Sequence, residues 1–363
     1  MDSTPLDKIE EAKQVIEKCK TESGFHASTQ LYPELWVRDL VFSEDVLLRL
    51  GYQDTIRRHF EAFLKAQREN GRIPTVITTP FRRIFNQEFH FWISDGEILF
   101  LTGVMKYIEH TGDLGFSELH GERIRLCRDF IGGRLNRLGL IQGMDWRDAL
   151  TNYRNKFLLA NQVLLVQMYD LLREEGKSDE LRKTIRDVFY SDEHGFYADS
   201  VWWNKESLER DFRFDCFGNS LAILNEVGSK ASEDRIVKLL EGNKTQFGYR
   251  NIFPPYKVER FIFKEPLKNM NAFLRNGAVL RNRPNNYQNS TIWPFVESKI
   301  AKAYLKLGLT DKARETLNML LGREGLNEWY SPVNGEPRGS REQLWSASAI
   351  LEVRDALSSR NDS

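Results

Sequence analysis

Two kinds of helical pattern alternate along this chain, and the links between them alternate too. Leu181, Ile185, Val188 and Phe189 fall at i, i+4, i+7 and i+8. Ala313, Leu317, Leu320 and Leu321 repeat that spacing, as do Ile56, Phe60, Phe63 and Leu64. Each set is one apolar stripe on a helix. The runs 157–168 and 347–353 are apolar more nearly all round, as helices buried on most sides are. The pattern predicts amphipathic helices near 6–20, 53–69, 118–132, 179–190, 231–242 and 311–322. It predicts buried helices near 39–50, 95–110, 156–174, 215–227, 293–307 and 341–357. A glycine and a tight polar turn follow every buried segment except the last: Gly51, Gly112, Gly176, Gly228 and Gly308. Glycine takes the left-handed conformation that ends a helix. Asp54, Ser178 and Thr310 are then placed to cap the next one. The links after amphipathic segments are long.

Six units of outer helix, long loop, inner helix and short turn suggest a closed ring with every long loop at one end. The expectation is an all-α (α/α)6 barrel, one domain over residues 1–363, with a small β-hairpin in its loops at 200–204. A straight solenoid is the alternative. Solenoid repeats are shorter and more uniform than these.

Lys+Arg and Asp+Glu both total 52, which argues against a nucleic-acid partner. Cys19, Cys127 and Cys216 lie far apart with no CxxC, so neither a disulfide framework nor a zinc site is expected. No apolar run approaches the roughly 20 residues of a membrane span. The start, MDSTPLDKIEE, shows no signal-peptide pattern. A cytoplasmic protein with no cofactor, no metal and no membrane contact is expected. Nothing in the sequence sets its oligomeric state.

All eight tryptophans fall in the long loops or at their edges: Trp36, Trp92, Trp146, Trp202, Trp203, Trp293, Trp329 and Trp345. Large aromatics also serve as packing anchors. Their concentration at one end nevertheless suggests an aromatic cleft. With carboxylates and amides around it, such a cleft suits a small carbohydrate, which offers CH faces and hydroxyls.

Glycoside hydrolysis needs two carboxyl groups across one bond, one giving a proton and the other activating water. Asp148, beside Trp146 in GMDWRDA (143–149), is a candidate acid. Glu328, in NEWYSPVNGEP, is a candidate base on the last long loop. Loops three and six of a ring of six lie across from each other. Asp145 could orient Arg147, cap a turn or be the acid itself. Most lone loop carboxylates cap helices or bind water, and Asp95 in FHFWISD could do the same. His90 in that stretch suits packing, and PFRR (80–83) suits solvated surface.

Four stretches resemble the (α/α)6-barrel inverting glycoside hydrolases: the glucoamylase-like, trehalase-like, amylo-α-1,6-glucosidase-like and neutral-invertase-like families. YPELWVRDLVFS (32–43) looks like their W-x-R-D element. That likeness implies sugar contacts at Arg38 and Asp39, beside Trp36. GMDWRDA resembles their general-acid segment. The W-x-D-A pattern places the acid at Asp148, whereas the G-x-D pattern would select Asp145. YQNSTIWPF (287–295) is similar to a motif that implies Gln288, Asn289 and Trp293 as subsite contacts. NEWYSPVNGEPRGSREQLWSASAIL (327–351) is the most specific match and passes the base role to Glu328. Trp92, Asp95, Trp146, Arg147, Tyr330 and Trp345 complete the expected substrate contacts.

The resemblance implies hydrolysis of an α-linked glucoside with inversion and no covalent intermediate. The chain is short for these families and shows no accessory β-domain, which favours small α-glucosides or glucose-containing compatible solutes over long polysaccharides. Three alternatives compete. D-W-R-D also resembles the D-W-x-D pattern of disaccharide phosphorylases of this barrel, although their mechanism needs no base glutamate. A sugar epimerase would need interior histidines, and His59, His110 and His120 are expected on outer faces or turns. A non-catalytic sugar-binding protein would bind without turnover.

Overall fold

The computed structural model of the chain describes residues 5–78, 93–150, 153, 155–257 and 281–361. Twelve helices lie among those residues, six of each kind. The outer six each bury one stripe or less: α1 (Pro5–Cys19), α3 (Gln53–Lys65), α5 (Leu114–Gly132), α7 (Glu175–Phe189), α9 (Lys230–Gly242) and α11 (Thr310–Leu321). The inner six are buried over most of their surface: α2 (Val37–Arg49), α4 (Asp95–Thr111), α6 (Leu159–Leu171), α8 (Cys216–Leu224), α10 (Pro294–Lys306) and α12 (Leu344–Asn361). The all-α class and the alternation agree with the periodicity of the sequence.

The inner helices pack in circular order. α2 packs on α4, α4 on α6, α6 on α8, α8 on α10, α10 on α12, and α12 back on α2. The outer helices cover them, with α3 against α2 and α4, α7 against α6, and α11 against α10 and α12. One apolar cluster runs through all twelve helices, from Ala12 to Leu357. Each large side chain in it contributes about 1.5–3 kcal/mol of burial.

Short β-pairings stitch the long loops together in the same order. Leu35–Trp36 of the first loop pairs with Val76–Ile77 of the second. Ile93 of the second bridges to Met144 of the third. Phe157–Leu158 pairs with Ser200–Val201 of the fourth. Phe214–Asp215 pairs with Ile252–Phe253 of the fifth. Ile292 bridges to Tyr330 of the sixth, and Gln343 of the sixth bridges back to Ser28 of the first. The loops therefore form a second closed circuit, which fixes their side chains relative to one another. The expected hairpin is present: Ser200–Asn204 pairs with Ser207–Asp211.

The short turns differ in detail from expectation. Gly51, Gly112 and Gly308 are left-handed, with φ of 86°, 68° and 80°. At the other two turns the left-handed residues are Arg173 and Glu226 rather than Gly176 and Gly228. The reason is helix extent: α7 starts at Glu175, so Gly176 and Ser178 are already inside it. Ser178 instead hydrogen-bonds Asp170. Asp54 and Thr310 likewise fall inside α3 and α11. Side-chain capping comes from Asp113 of α5, Asp215 of α8 and Ser229 of α9. Trp92, His90 and the PFRR segment lie outside the described residues.

Candidate active site

A hollow opens where the first, third, fifth and sixth loops meet the N-termini of α2, α10 and α12. Tyr32, Trp36, Arg38 and Asp39 enter it from the first loop and the first turn of α2. The third loop supplies Trp146 and Asp148. The fifth supplies Tyr287, Gln288 and Trp293. Glu328 and Gln343 come from the sixth loop, and Trp345 from the start of α12. Asp148 and Glu328, far apart in sequence, line this one hollow.

Its floor is aromatic. Trp146 meets Trp293 edge to face at 5.0 Å between ring centroids, and Trp293 meets Trp345 at 5.8 Å. Phe295 packs behind them, 4.9 Å from Trp146 and 4.7 Å from Trp345. Edge-to-face contacts fix ring orientation. Trp293 donates its Nε1–H to Thr291 Oγ1. The indole nitrogens of Trp146 and Trp345 and the Gln343 Oε1 are buried without a hydrogen-bond partner. Buried polar groups rarely stay so, and all three belong to residues of the hollow.

Arg38 organises one wall. Its Nε and Nη2 grip both oxygens of Asp95, at 2.8 and 2.9 Å. Its Nη1 donates to Asp148 Oδ2 at 2.6 Å, and Nη2 also donates to the Asp145 carbonyl. Gln288 Nε2 donates to Asp148 Oδ1, while its Oε1 accepts from the Ala149 N–H. Asp148 keeps 25% of its side chain exposed. One cation thus serves two carboxylates. Burial raises Asp95 to about 6 against the pull of Arg38.

Glu328 lines the same hollow from the sixth loop. It is 3% exposed and accepts at Oε2 from the Ser340 N–H. Burial pushes its carboxyl up to about 7, and the Asp148 charge adds to this. The Ser340 N–H, Arg281 and Tyr32 act in the opposite sense. The strand Trp329–Tyr330 pairs with Pro337–Arg338, and the chain then turns at Gly339 with φ +71°. A Cβ at Gly339 would overlap Glu328 Oε2 and stand 2.8 Å from Glu328 Cβ. Asp39 accepts from Gln343 Nε2 at 2.7 Å, and burial raises it to about 8.

Five expected site residues stand behind the lining. Asp95 holds Arg38. Asp145 and Arg147 are fully buried and bound to each other. Asn289 accepts the Tyr256 N–H and donates to two carbonyls, fixing the fifth loop. The Tyr330 hydroxyl bonds Gly325 O and the Asn327 N–H. Conversely, Tyr32, Tyr287 and Gln343 line the hollow and were not singled out by sequence reasoning. All three sit inside the motif stretches 32–43, 287–295 and 327–351. Trp202 and Trp203 belong to the hairpin, whose residues do not line the hollow. Among the described residues no three His, Cys, Asp or Glu side chains are grouped as metal ligands would be. None of the described helices is long and apolar enough to cross a membrane.

Residues 178–359, half of the chain, match the family of alkaline and neutral invertases. That match includes Gln288, Glu328 and Trp345, and leaves Arg38 and Asp148 outside it. A glucosylglycerate hydrolase of Mycolicibacterium hassiacum is 33% identical over 78 residues, 19% of this chain and 16% of that protein. The mitochondrial neutral/alkaline invertase 1 of rice, Oryza sativa subsp. japonica, is 21% identical over 269 residues, 68% of this chain and 40% of that protein. The chain thus spans less than half the length of these curated relatives. In fold it is similar to mannosylglycerate hydrolase from Thermus thermophilus, with a TM-score of 0.71 at 14% identity over 95% of this chain and 99% of that one. It is also similar to a rhamnosidase from Klebsiella oxytoca, with a TM-score of 0.63 at 16% identity over 98% and 64% of the two chains. By its sequence match, the chain belongs to the alkaline and neutral invertase family of glycoside hydrolases.

Proposed function

We propose that this protein is an inverting glycoside hydrolase of small α-linked glucosides, built on an (α/α)6 barrel, with Asp148 as general acid and Glu328 as general base. The observation that carries the reading is the shared hollow, whose lining includes two carboxyl side chains, from the third and sixth loops, and Trp146, Trp293 and Trp345. The circular packing of the inner helices supports the barrel. Asp145 is the weaker choice of acid, since Arg147 occupies both its oxygens and it does not line the hollow.

A glucosyl ring seated on Trp146, Trp293 and Trp345 would present its hydroxyls to Asp39, Arg38 and the unpartnered Gln343 Oε1. Water then attacks the anomeric carbon from the Glu328 side. Glu328 takes one proton from that water. Asp148 gives its proton to the departing oxygen as the glycosidic bond breaks, and the anomeric configuration inverts. A base poised near neutrality suits this work. Glu328 is superfluous in a phosphorylase, so hydrolysis is preferred to phosphorolysis. The three buried, free cysteines fit a reducing, cytoplasmic setting.

The leaving group has its own indicator. Arg281 lies over the Tyr287 ring at 3.9 Å and reaches the field of Glu328. A cation beside the hollow favours a glycoside whose leaving group is an acid, such as glucosylglycerate, over a neutral disaccharide. The test is release of glucose from a panel containing glucosylglycerate, sucrose, trehalose and isomaltose. Turnover of at least one member is expected, and it should be lost in Asp148→Asn and Glu328→Gln. Turnover retained by either variant removes the assignment of that residue.

A further inference from the structure

We infer that Arg147 is a positioning residue for the general acid: a buried hub of Arg147 with Asp145, Asp199 and Asp215 aims the Asp148 carboxyl into the hollow. This rests on the proposed role of Asp148.

Arg147 cannot touch a substrate, since its side chain is 0% exposed. All of its charge is used internally. Nε donates to both Asp145 oxygens at 3.2 Å, and Nη2 to Asp145 Oδ2 at 2.6 Å. Nη1 donates to Asp199 Oδ1 at 2.7 Å, and Nη2 reaches Asp215 Oδ2 at 3.3 Å. The Tyr153 ring lies 4.9 Å from its guanidinium carbon.

These partners come from different loops. Asp145 belongs to the third loop, while Asp199 and Asp215 belong to the fourth. Tyr256 of the fifth loop donates to Asp199 Oδ2 at 2.8 Å. The hub therefore ties three neighbouring loops beneath the site. Asp215 also caps α8 by accepting the Phe217 N–H, which anchors the hub to an inner helix.

The local backbone transmits that anchoring to Asp148. Asp145 Oδ1 accepts the Arg147 N–H at 2.8 Å, closing a tight turn over D-W-R. The Arg147 carbonyl accepts the Leu150 N–H at 2.9 Å, closing the next one. Arg147 and Asp148 are consecutive and point to opposite sides of this turn, one into the hub and one into the hollow. A tilt of the turn that frees Arg147 swings Asp148 with it.

Three carboxylates around one guanidinium is a poor arrangement for stability alone. Buried charge is costly, and replacing a whole buried ion cluster by well-packed apolar side chains is often neutral or stabilising. Burial pushes Asp215 above the usual carboxylate range, with Asp199 and Asp145 adding to the shift against Arg147. A simple structural pair needs one aspartate. The additional two make sense as fixed points that define where the turn sits.

The test compares substrates that do and do not need acid assistance. Fluoride departs with little help from a general acid, whereas an alcohol leaving group needs the proton. Arg147→Lys and Asp199→Asn are assayed with the best glycoside of the panel and with α-glucosyl fluoride, beside Asp148→Asn and a thermal melt of each. Arg147→Lys is expected to lower kcat on the glycoside about tenfold to a hundredfold with KM nearly unchanged, the cost of a displaced catalytic group. Its rate on the fluoride should fall by less than about threefold. Asp199→Asn should show the same split more weakly, and it decides the matter if Arg147→Lys does not fold. Equal losses on both substrates, or no loss on either, overturn the proposal. A split in Asp148→Asn without one in the hub variants refutes the hub alone. Its absence from Asp148→Asn refutes the acid assignment and the hub together.

Discussion

Arg38 donates from Nη1 to Asp148 at 2.6 Å while its other nitrogens hold Asp95. Asp148 therefore takes its place from a residue on α2 that is itself clamped by the first residue of α4. The acid wall is a product of helix order as well as of the third loop.

Lysine at position 38 keeps the charge but loses the fork that binds two carboxylates at once. Arg38→Lys is expected to reduce kcat/KM by about 10²-fold. Steady-state kinetics with a melting curve checks this. A variant that stays folded and within about threefold of wild type would show that the clamp is dispensable.

The turn at Gly339 sets Glu328. Any side chain there meets the glutamate carboxyl and also requires φ near +71°. Gly339→Ala is expected to destabilise by about 1–3 kcal/mol and to lower kcat more than it raises KM. Equal kinetics in the alanine variant would mean that Glu328 is not held from this side.

Much of this was written in local patterns. The twelve helices follow from stripes such as Leu181, Ile185, Val188 and Phe189, because a period of 3.6 is a property of neighbours in sequence. Asp148, Glu328, Trp36, Trp146, Trp293 and Trp345 were legible because each sits in a short motif where a loop enters an inner helix. What was not legible is direction. Arg147 and Asp148 are adjacent in sequence, and only the fold shows that one points into the hub and the other into the hollow. Asn289 and Tyr330 were expected as contacts from the company they keep, yet both spend their polar atoms holding backbone. Gln343 was missed although it stands two residues before Trp345. Its role depends on Asp39, some 300 residues away. The turn caps were misplaced because helix ends depend on the packing of the following helix.

Glu328, raised to about 7, must be ionised to accept a proton. kcat/KM is therefore expected to fall as pH drops through about 7, by a decade per unit below it. A pH–rate profile checks this. A profile flat down to pH 5 would contradict the base assignment.

Asp39, raised to about 8 in the folded chain, titrates near pH 4 when unfolded. Between those values the folded state keeps a proton that the unfolded state has lost, so stability falls as pH rises from about 4 to 8. Asp39→Asn removes that dependence and still accepts from Gln343. It is expected to be more stable than wild type at pH 8, by about 5 kcal/mol at most, with a much smaller gain at pH 5. Its activity should fall, since stability and function compete at such sites. Paired denaturant titrations at the two pH values measure the effect. An equal change at both would assign the shift elsewhere.

The stereochemistry of the first-formed product addresses the paired carboxyls of Asp148 and Glu328 most directly. A proton NMR time course on an α-glucoside, read before mutarotation, should show β-glucose appearing first, and none formed by Asp148→Asn or Glu328→Gln. Appearance of α-glucose first would mean a covalent intermediate and a nucleophile where the activated water is placed.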